Sequence, residues 1–326
     1  MIIAEIGSVH DGSFGNAIKL IQCAASHGAD AVKFQTHLAE AESILNAPSP
    51  PYFQSESRQA YFKRTSFTKS QWKEINEESK RNGLIFISSP FSLEAVDLLE
   101  EIGQSIYKIP SGEVTNIPLL MKISKIGKPV LLSSGMSNWK ELDEAVNVFK
   151  GKCHLTVMQC SSIYPCSPKD VGLNILHDMS NRYSCDIGFS DHTLGFAAPI
   201  AAAAMGATVI EKHFTFSRFM YGSDAKHSME PENFRIMSSA IKEVWEMNKS
   251  PVDKNDIKHF EEMKLIFEKS IVSKRMLSKG TILKQSDLTF KKPGTGISAS
   301  KYLEVIGKIL IKDIQSDEII QREWLR

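Results

Sequence analysis

From Ile2 to Lys212 the chain alternates short apolar runs with helical segments, and few folds accept that rhythm. Candidate strands fall at Ile2–Ile6, Ala31–Gln35, Leu84–Ser88, Ile106–Pro110, Pro129–Ser133, Leu155–Cys160, Asp186–Ser190 and Thr208–Lys212. Helical spacing of apolar residues fills stretches between them: Asn16–His27, Lys69–Asn82, Leu93–Ile102, Ile117–Ile126, Asn138–Phe149 and Phe196–Met205. Gly28, Gly83, Gly103, Gly127 and Gly206 follow helices, where a residue tolerant of positive φ can end the turn. The strands are nearly continuous apolar runs, as parallel strands covered on both faces require. Eight such units in about 250 residues predict an α/β fold, a (β/α)8 TIM barrel. The competing doubly wound sheet wants Gly-x-Gly-x-x-Gly after its first strand, and Gly7, Gly12 and Gly15 lack that spacing.

One barrel leaves roughly seventy of the 326 residues unassigned. Polar, charged 249–269 reads as a linker, and 270–326, with turns at Lys279–Gly280 and Pro293–Gly294, as a small, mostly β domain. A module of about 57 residues is near the lower limit of independent stability and is expected to lean on another surface. The barrel domain is accordingly 1–248. Within it, Thr36–Thr68 is a long insertion carrying Pro48, Pro50, Pro51 and the aromatics Tyr52, Phe53, Tyr61 and Phe62. A long loop after a barrel strand is either part of the site or a packed surface excursion.

Composition excludes several function classes. With 42% hydrophobic and 24% charged residues the chain is an ordinary globular protein. Its net charge of +1 gives no global attraction to nucleic acid or an acidic membrane. No apolar run approaches the roughly 18 residues of a membrane span. The opening Met-Ile-Ile-Ala-Glu shows no secretory signal, and five cysteines without a Cys-x-x-Cys pair read as reduced thiols, so a cytoplasmic location is expected.

Polar residues at the C-terminal ends of barrel strands face the active site. Here those ends carry Glu5, Lys33, Ser88–Ser89, Lys108 with Ser111 and Glu113, Ser133–Ser134, Ser161–Ser162 with Tyr164, Ser190 to His192, and Lys212–His213. Two buried lysines among hydroxyls suit an anionic substrate, most simply a phosphate plus a carboxylate; Ser89 and Ser134 could instead cap helices. His192 and His213 end successive strands about 4.8 Å apart, within reach of one divalent cation. Imidazole with oxygen ligands suits manganese, cobalt or zinc. Glu5 and Glu113 are the candidates for proton transfer. His10 and Asp11 either line the mouth or cap the next helix.

At these residues the sequence resembles the sialic acid synthases, the phosphoenolpyruvate-condensing nonulosonate synthases. The matching stretches are Ile3–Gly7 with His10–Gly12, Gly28–Gln35, Tyr107–Glu113, Ser133–Met136, Cys160–Pro165, Gly188–Thr193, Glu211–Thr215 and Gly222–Asp224. Residues 270–326 look like the antifreeze-like SAF domain of that family. The resemblance implies condensation of phosphoenolpyruvate with an open-chain N-acylated amino sugar and water, giving a nine-carbon 2-keto acid and phosphate. It implies that His192 and His213 hold a divalent metal, manganese foremost with magnesium or cobalt as alternatives, which polarises the aldehyde. Lys33, Ser89, Lys108, Ser111, Ser133, Ser162 and Ser190 match phosphate- and carboxylate-holding positions; Glu113 matches a carboxylate acting on water, and Glu5 one near the sugar. Tyr164 and Asp224 match sugar contacts. It further implies a domain-swapped homodimer whose C-terminal modules cover the opposite barrels.

Two departures stand out. Ser8-Val9-His10 replaces the family's usual asparagine-containing pattern. Lys292-Pro293-Gly294 stands where the family has Arg-Pro-Gly, so Lys292 keeps a charge at the N-acyl-binding position without the planar fork. N-acetylmannosamine and the diacylated precursors of legionaminic or pseudaminic acid all fit this pattern. A synthase for phosphorylated sugars, of the heptulosonate or octulosonate type, would want a second basic cluster, and the sequence offers only Lys291–Lys292. A non-catalytic surface-polysaccharide protein on the same scaffold is the third reading.

Overall fold

The computed structural model describes residues 1–49 and 56–326. It divides into two compact units, Met1–Ser250 and Pro251–Arg326. In the first, eight parallel strands close into a barrel in chain order. They are β1 Ile2–Gly7, β2 Ala31–Thr36, β3 Ile85–Pro90, β4 Ile106–Ile109, β5 Val130–Ser133, β6 Leu155–Cys160, β7 Asp186–Asp191 and β8 Val209–His213. The seam between β1 and β8 runs from Ile2↔Ile210 to Glu5↔His213. The barrel expectation holds, and the doubly wound sheet is excluded. All five helix-ending glycines take positive φ, between 73° and 98°.

Both strand faces are buried, which is why the sequence runs are so continuously apolar. Outward-facing residues such as Phe34 and Phe86 pack with Trp72, Leu20 and Ile75 of the helical layer. Inside the barrel, Ile3, Ala31, Ile87, Leu131, Met158 and Val209 form an apolar floor. Side chains alternate along a strand, so the next inward residue lies two positions on. Those residues are Glu5, Lys33, Ser89, Ser133, Cys160 and Glu211. A dry floor beneath a polar layer is therefore written into the strands with a period of two.

The insertion after β2 forms helices at Ala39–Glu42 and Arg58–Thr65. Ser57 caps the second, accepting from the Ala60 amide. Tyr61 and Phe62 bury against Ala39 in a small core of their own. Pro50, Pro51, Tyr52 and Phe53, singled out in the sequence, lie outside the described residues. Helix Pro231–Lys249 completes the barrel unit, and no helix among the described residues is long and apolar enough to cross a membrane.

The second unit pairs β9 Ser270–Ser273 with β10 Leu288–Lys291 in an antiparallel ladder. Ile271, Leu277, Leu283, Leu310, Ile314 and Ile320 make its core. The segment read as a linker, 249–269, holds a turn at Lys258–Phe260 and a helix at Glu261–Phe267.

Candidate active site

The layer above the floor is a buried charge network. Lys33 Nζ stands 2.8 Å from Glu5 Oε2 and 3.6 Å from Glu211 Oε1. Lys108 Nζ donates to Glu211 Oε2 at 2.7 Å, and Ser190 Oγ donates to Oε1 at 3.0 Å. All five side chains are buried. Burial opposes the charge on Lys33, but Glu211 and Glu5 outweigh it and its pKa moves upward. Burial likewise opposes ionisation of Glu211, and Lys108 and Lys33 carry it well below the ordinary carboxylate range. Two ammonium groups and two carboxylates thus share one dry layer, each needing the others. Glu211 was not among the sequence candidates; its inward position two residues past Val209 and two before His213 was the available signal.

Hydroxyls gather beside this layer. A β-carbon on Gly135 would sit 2.3 Å from Ser162 Oγ and 2.5 Å from Ser111 Oγ, so both hydroxyls converge where only glycine leaves room. Ser111 also approaches Cys160 Sγ at 3.8 Å. Ser89 and Ser133 are buried, and Ser89 Oγ has no hydrogen-bond partner among the described residues. The capping alternative fails for both serines in question. Ser92 caps the helix after β3 and Asn138 the helix after β5, while Ser134 Oγ donates to Gln159 Oε1 at 3.1 Å. Gly135→Ala is expected to leave the melting temperature near native and to weaken phosphate-anion binding at least about 10-fold, measured by calorimetry, because it displaces two donors at once.

His192 and His213 lie with ring centroids 5.5 Å apart. His192 Nδ1 donates to the Ser161 carbonyl at 2.5 Å, which leaves Nε2 as the lone-pair nitrogen, and the Tyr164 hydroxyl meets that atom at 2.9 Å. His213 Nδ1 is buried without a hydrogen-bond partner among the described residues. Burial lowers the pKa of both rings, favouring the neutral, ligating form. Among the described residues no group of three His, Cys, Asp or Glu side chains is arranged to hold a metal ion. Two neutral imidazoles, one with an orphaned nitrogen, fit a cation that completes its shell with substrate and water oxygens.

A cavity of about 460 Å³ adjoins His213, lined by Tyr164, Asp224, Gln35, His37 and Arg58 among others. Gln35 Nε2 donates to Glu5 Oε1 at 2.8 Å, and Gln35 Oε1 meets His37 Nε2 at 3.2 Å. Asp224 Oδ2 accepts from the Ser8 amide at 3.0 Å. Gly7, at φ +53°, is required there, since a β-carbon would lie 2.6 Å from that oxygen. Glu113 accepts from Asn116 Nδ2 at 2.7 Å, and burial raises its pKa above the ordinary 4.5.

Three expectations need correction. His10 and Asp11 do not cap the following helix; Ser13 does. His10 is packed against Phe67 and Phe34, while Asp11 pairs with Arg64 at 2.8 Å. Lys212, at the end of β8, serves the structure: its ammonium pairs with Asp191 and donates to the carbonyls of Thr193 and Gly195. The basic side chains absent from the sequence as a cluster are gathered by folding, because Arg58 and Lys226 line the same cavity. Lys292 belongs to the second unit, its ammonium over the Phe267 ring at 4.7 Å.

Fold and site together define a (β/α)8-barrel enzyme with a small β unit at its C-terminal end. Residues 20–253 match the NeuB family and 268–325 the SAF domain. The N,N'-diacetyllegionaminic acid synthase of Campylobacter jejuni is 38% identical, across 98% of each chain. Human N-acetylneuraminate-9-phosphate synthase is 30% identical over 99% of this chain and 91% of its own. The crystal structure of the N-acetylneuraminic acid synthetase of Leptospira borgpetersenii, a citrate complex, superposes with a TM-score of 0.73 at 30% identity, covering 80% of this chain and 89% of that one. The chain belongs to the NeuB family, and it is a synthase.

Proposed function

We propose that this synthase condenses phosphoenolpyruvate with the open-chain form of an N-acylated amino sugar and water, giving a nonulosonic 2-keto acid and phosphate. The observation that carries the reading is the pairing of Lys33 and Lys108 around Glu211, in a site that also holds convergent serines and two neighbouring imidazoles.

Lys33 and Lys108 present positive charge where water is excluded, and Ser111, Ser162, Ser89, Ser133 and Ser190 add hydroxyl donors for phosphate and carboxylate oxygens. His192 and His213 would hold a divalent cation, manganese first and magnesium or cobalt after it, whose bound form supplies Lewis-acid polarisation of the sugar aldehyde. Gln35, Tyr164 and Asp224 orient the sugar chain, and Glu5 stands beside it as a proton carrier. Carbon 3 of phosphoenolpyruvate bonds to the aldehyde carbon, water adds at carbon 2, and the carbon–oxygen bond to phosphate then breaks. Glu113 takes the proton from that water. Assembly is part of the proposal: a domain-swapped homodimer whose C-terminal unit brings Lys292 to the other barrel's mouth. A monomeric mass with full activity would refute that element.

A base with a raised pKa gains its active form only as pH rises through that higher value. The acid limb of kcat is therefore expected above pH 4.5. In Glu113→Gln the limb should vanish and kcat should fall roughly 100- to 10,000-fold; an unchanged limb would assign it elsewhere. The proposal as a whole is tested by a phosphate-release screen of N-acylated and phosphorylated aldoses with phosphoenolpyruvate and metal, where release without any aldose contradicts it.

A further inference from the structure

The hydroxyl of Tyr164 sits on the one ring atom of His192 that is free to bind a cation. His192 Nδ1 gives its proton to the Ser161 carbonyl, so Nε2 keeps a single lone pair. The Tyr164 hydroxyl stands 2.9 Å from Nε2 and therefore donates to it. The phenol ring is placed as closely as its hydroxyl. Its centroid lies 4.1 Å from that of His192 and 5.8 Å from that of His213, and the two imidazoles are themselves 5.5 Å apart. Tyr164 thus packs against both rings of the candidate cation pair.

One lone pair serves one partner. A cation on His192 Nε2 displaces the Tyr164 proton, and a Tyr164 bond to Nε2 excludes the cation. The surroundings let that exchange happen by a side-chain movement alone. Tyr164 lies in the loop after β6 and is 46% exposed, so no core packing locks its ring in place. Its backbone is held close, because the Cys166 amide donates to the His192 carbonyl at 2.9 Å. Tyr164 also lines the 460 Å³ cavity with Gln35 and Asp224, so a hydroxyl released from His192 has polar neighbours there. While it is bonded to Nε2, the same hydroxyl is not available to a ligand. We infer that Tyr164 is a positioning residue that competes with the divalent cation for His192 Nε2, setting the affinity of that cation and freeing its own hydroxyl for the sugar once displaced. This rests on reading His192 and His213 as the pair that holds the cation.

The test measures manganese(II) binding to the full chain without substrates, through the loss of the free-ion electron paramagnetic resonance signal. Tyr164→Phe keeps the ring and removes the competing donor. It should bind manganese about 3- to 30-fold more tightly than the native protein, because an acceptor left unpaired regains a partner only from the cation. A second readout does not depend on affinity. Manganese should produce a near-ultraviolet tyrosine difference spectrum in the native protein, as the phenol leaves the imidazole, and Tyr164→Phe should lack it. His192→Ala should abolish binding with either residue at position 164. Equal or weaker binding by Tyr164→Phe, or a difference spectrum that persists in it, would overturn the role of Tyr164. If His192→Ala still abolishes binding in that case, the cation reading stands without it. Manganese binding that survives His192→Ala, or no binding by either the native protein or Tyr164→Phe, would instead remove the cation reading and this inference together.

Discussion

His213→Ala is expected to lower phosphate release by about 1,000-fold or more, corresponding to roughly 4 kcal/mol of lost transition-state stabilisation. Excess divalent cation should not restore it, because the variant lacks one of the two nitrogens that define the site. The native enzyme should lose the same activity on chelation and regain it when metal returns. His213 Nδ1 has no hydrogen-bond partner among the described residues, so its removal strands no donor or acceptor there and the barrel should keep its near-native circular dichroism. Substantial activity in His213→Ala, or turnover of the native enzyme that survives chelation, would remove the imidazole pair from the mechanism.

The second large effect concerns stability. Glu211→Gln removes a carboxylate shared by Lys33 and Lys108, leaving Lys33 with Glu5 and the buried Lys108 without its carboxylate. An uncompensated buried charge costs about 3–5 kcal/mol, a large fraction of a domain's net stability. Urea unfolding followed by a barrel signal should show a clear fall in midpoint. Adding Lys108→Met to Glu211→Gln restores charge balance and should recover much of that stability without recovering activity. By contrast, removing the exposed Arg235–Glu232 pair should leave the midpoint where it was, because solvent already screens it. If Glu211→Gln unfolds at the native midpoint, the two lysines are not held as charged groups by Glu211.

Much of the site was legible because strand periodicity is a local property. Ile3 to Glu5, Ala31 to Lys33, Ile87 to Ser89 and Leu131 to Ser133 each repeat the same step from apolar floor to polar layer, and the sequence shows it directly. The two histidines were readable for the same reason, as strand ends on neighbouring strands. What the sequence did not show was partnership. Glu211 stands in the same inward row, but its importance comes from two lysines on other strands, 178 and 103 positions away. His37 and Arg58 belong to an insertion with no strand register, so nothing local says that both side chains come to line the cavity. Lys212 misled for a simple reason. It neighbours inward-facing Glu211 and His213 and therefore points the opposite way, where it ties down the loop after β7.

The most direct measurement is the fate of oxygen when phosphoenolpyruvate, metal and an N-acylated amino sugar react in water labelled with ¹⁸O. Attack of water at carbon 2 breaks the carbon–oxygen bond, so every oxygen of the released phosphate comes from phosphoenolpyruvate. Mass spectrometry should find unlabelled phosphate together with a keto acid whose carbon skeleton sums the two substrates. Labelled phosphate, or pyruvate without a condensed product, would show hydrolysis at phosphorus and contradict the proposed condensation.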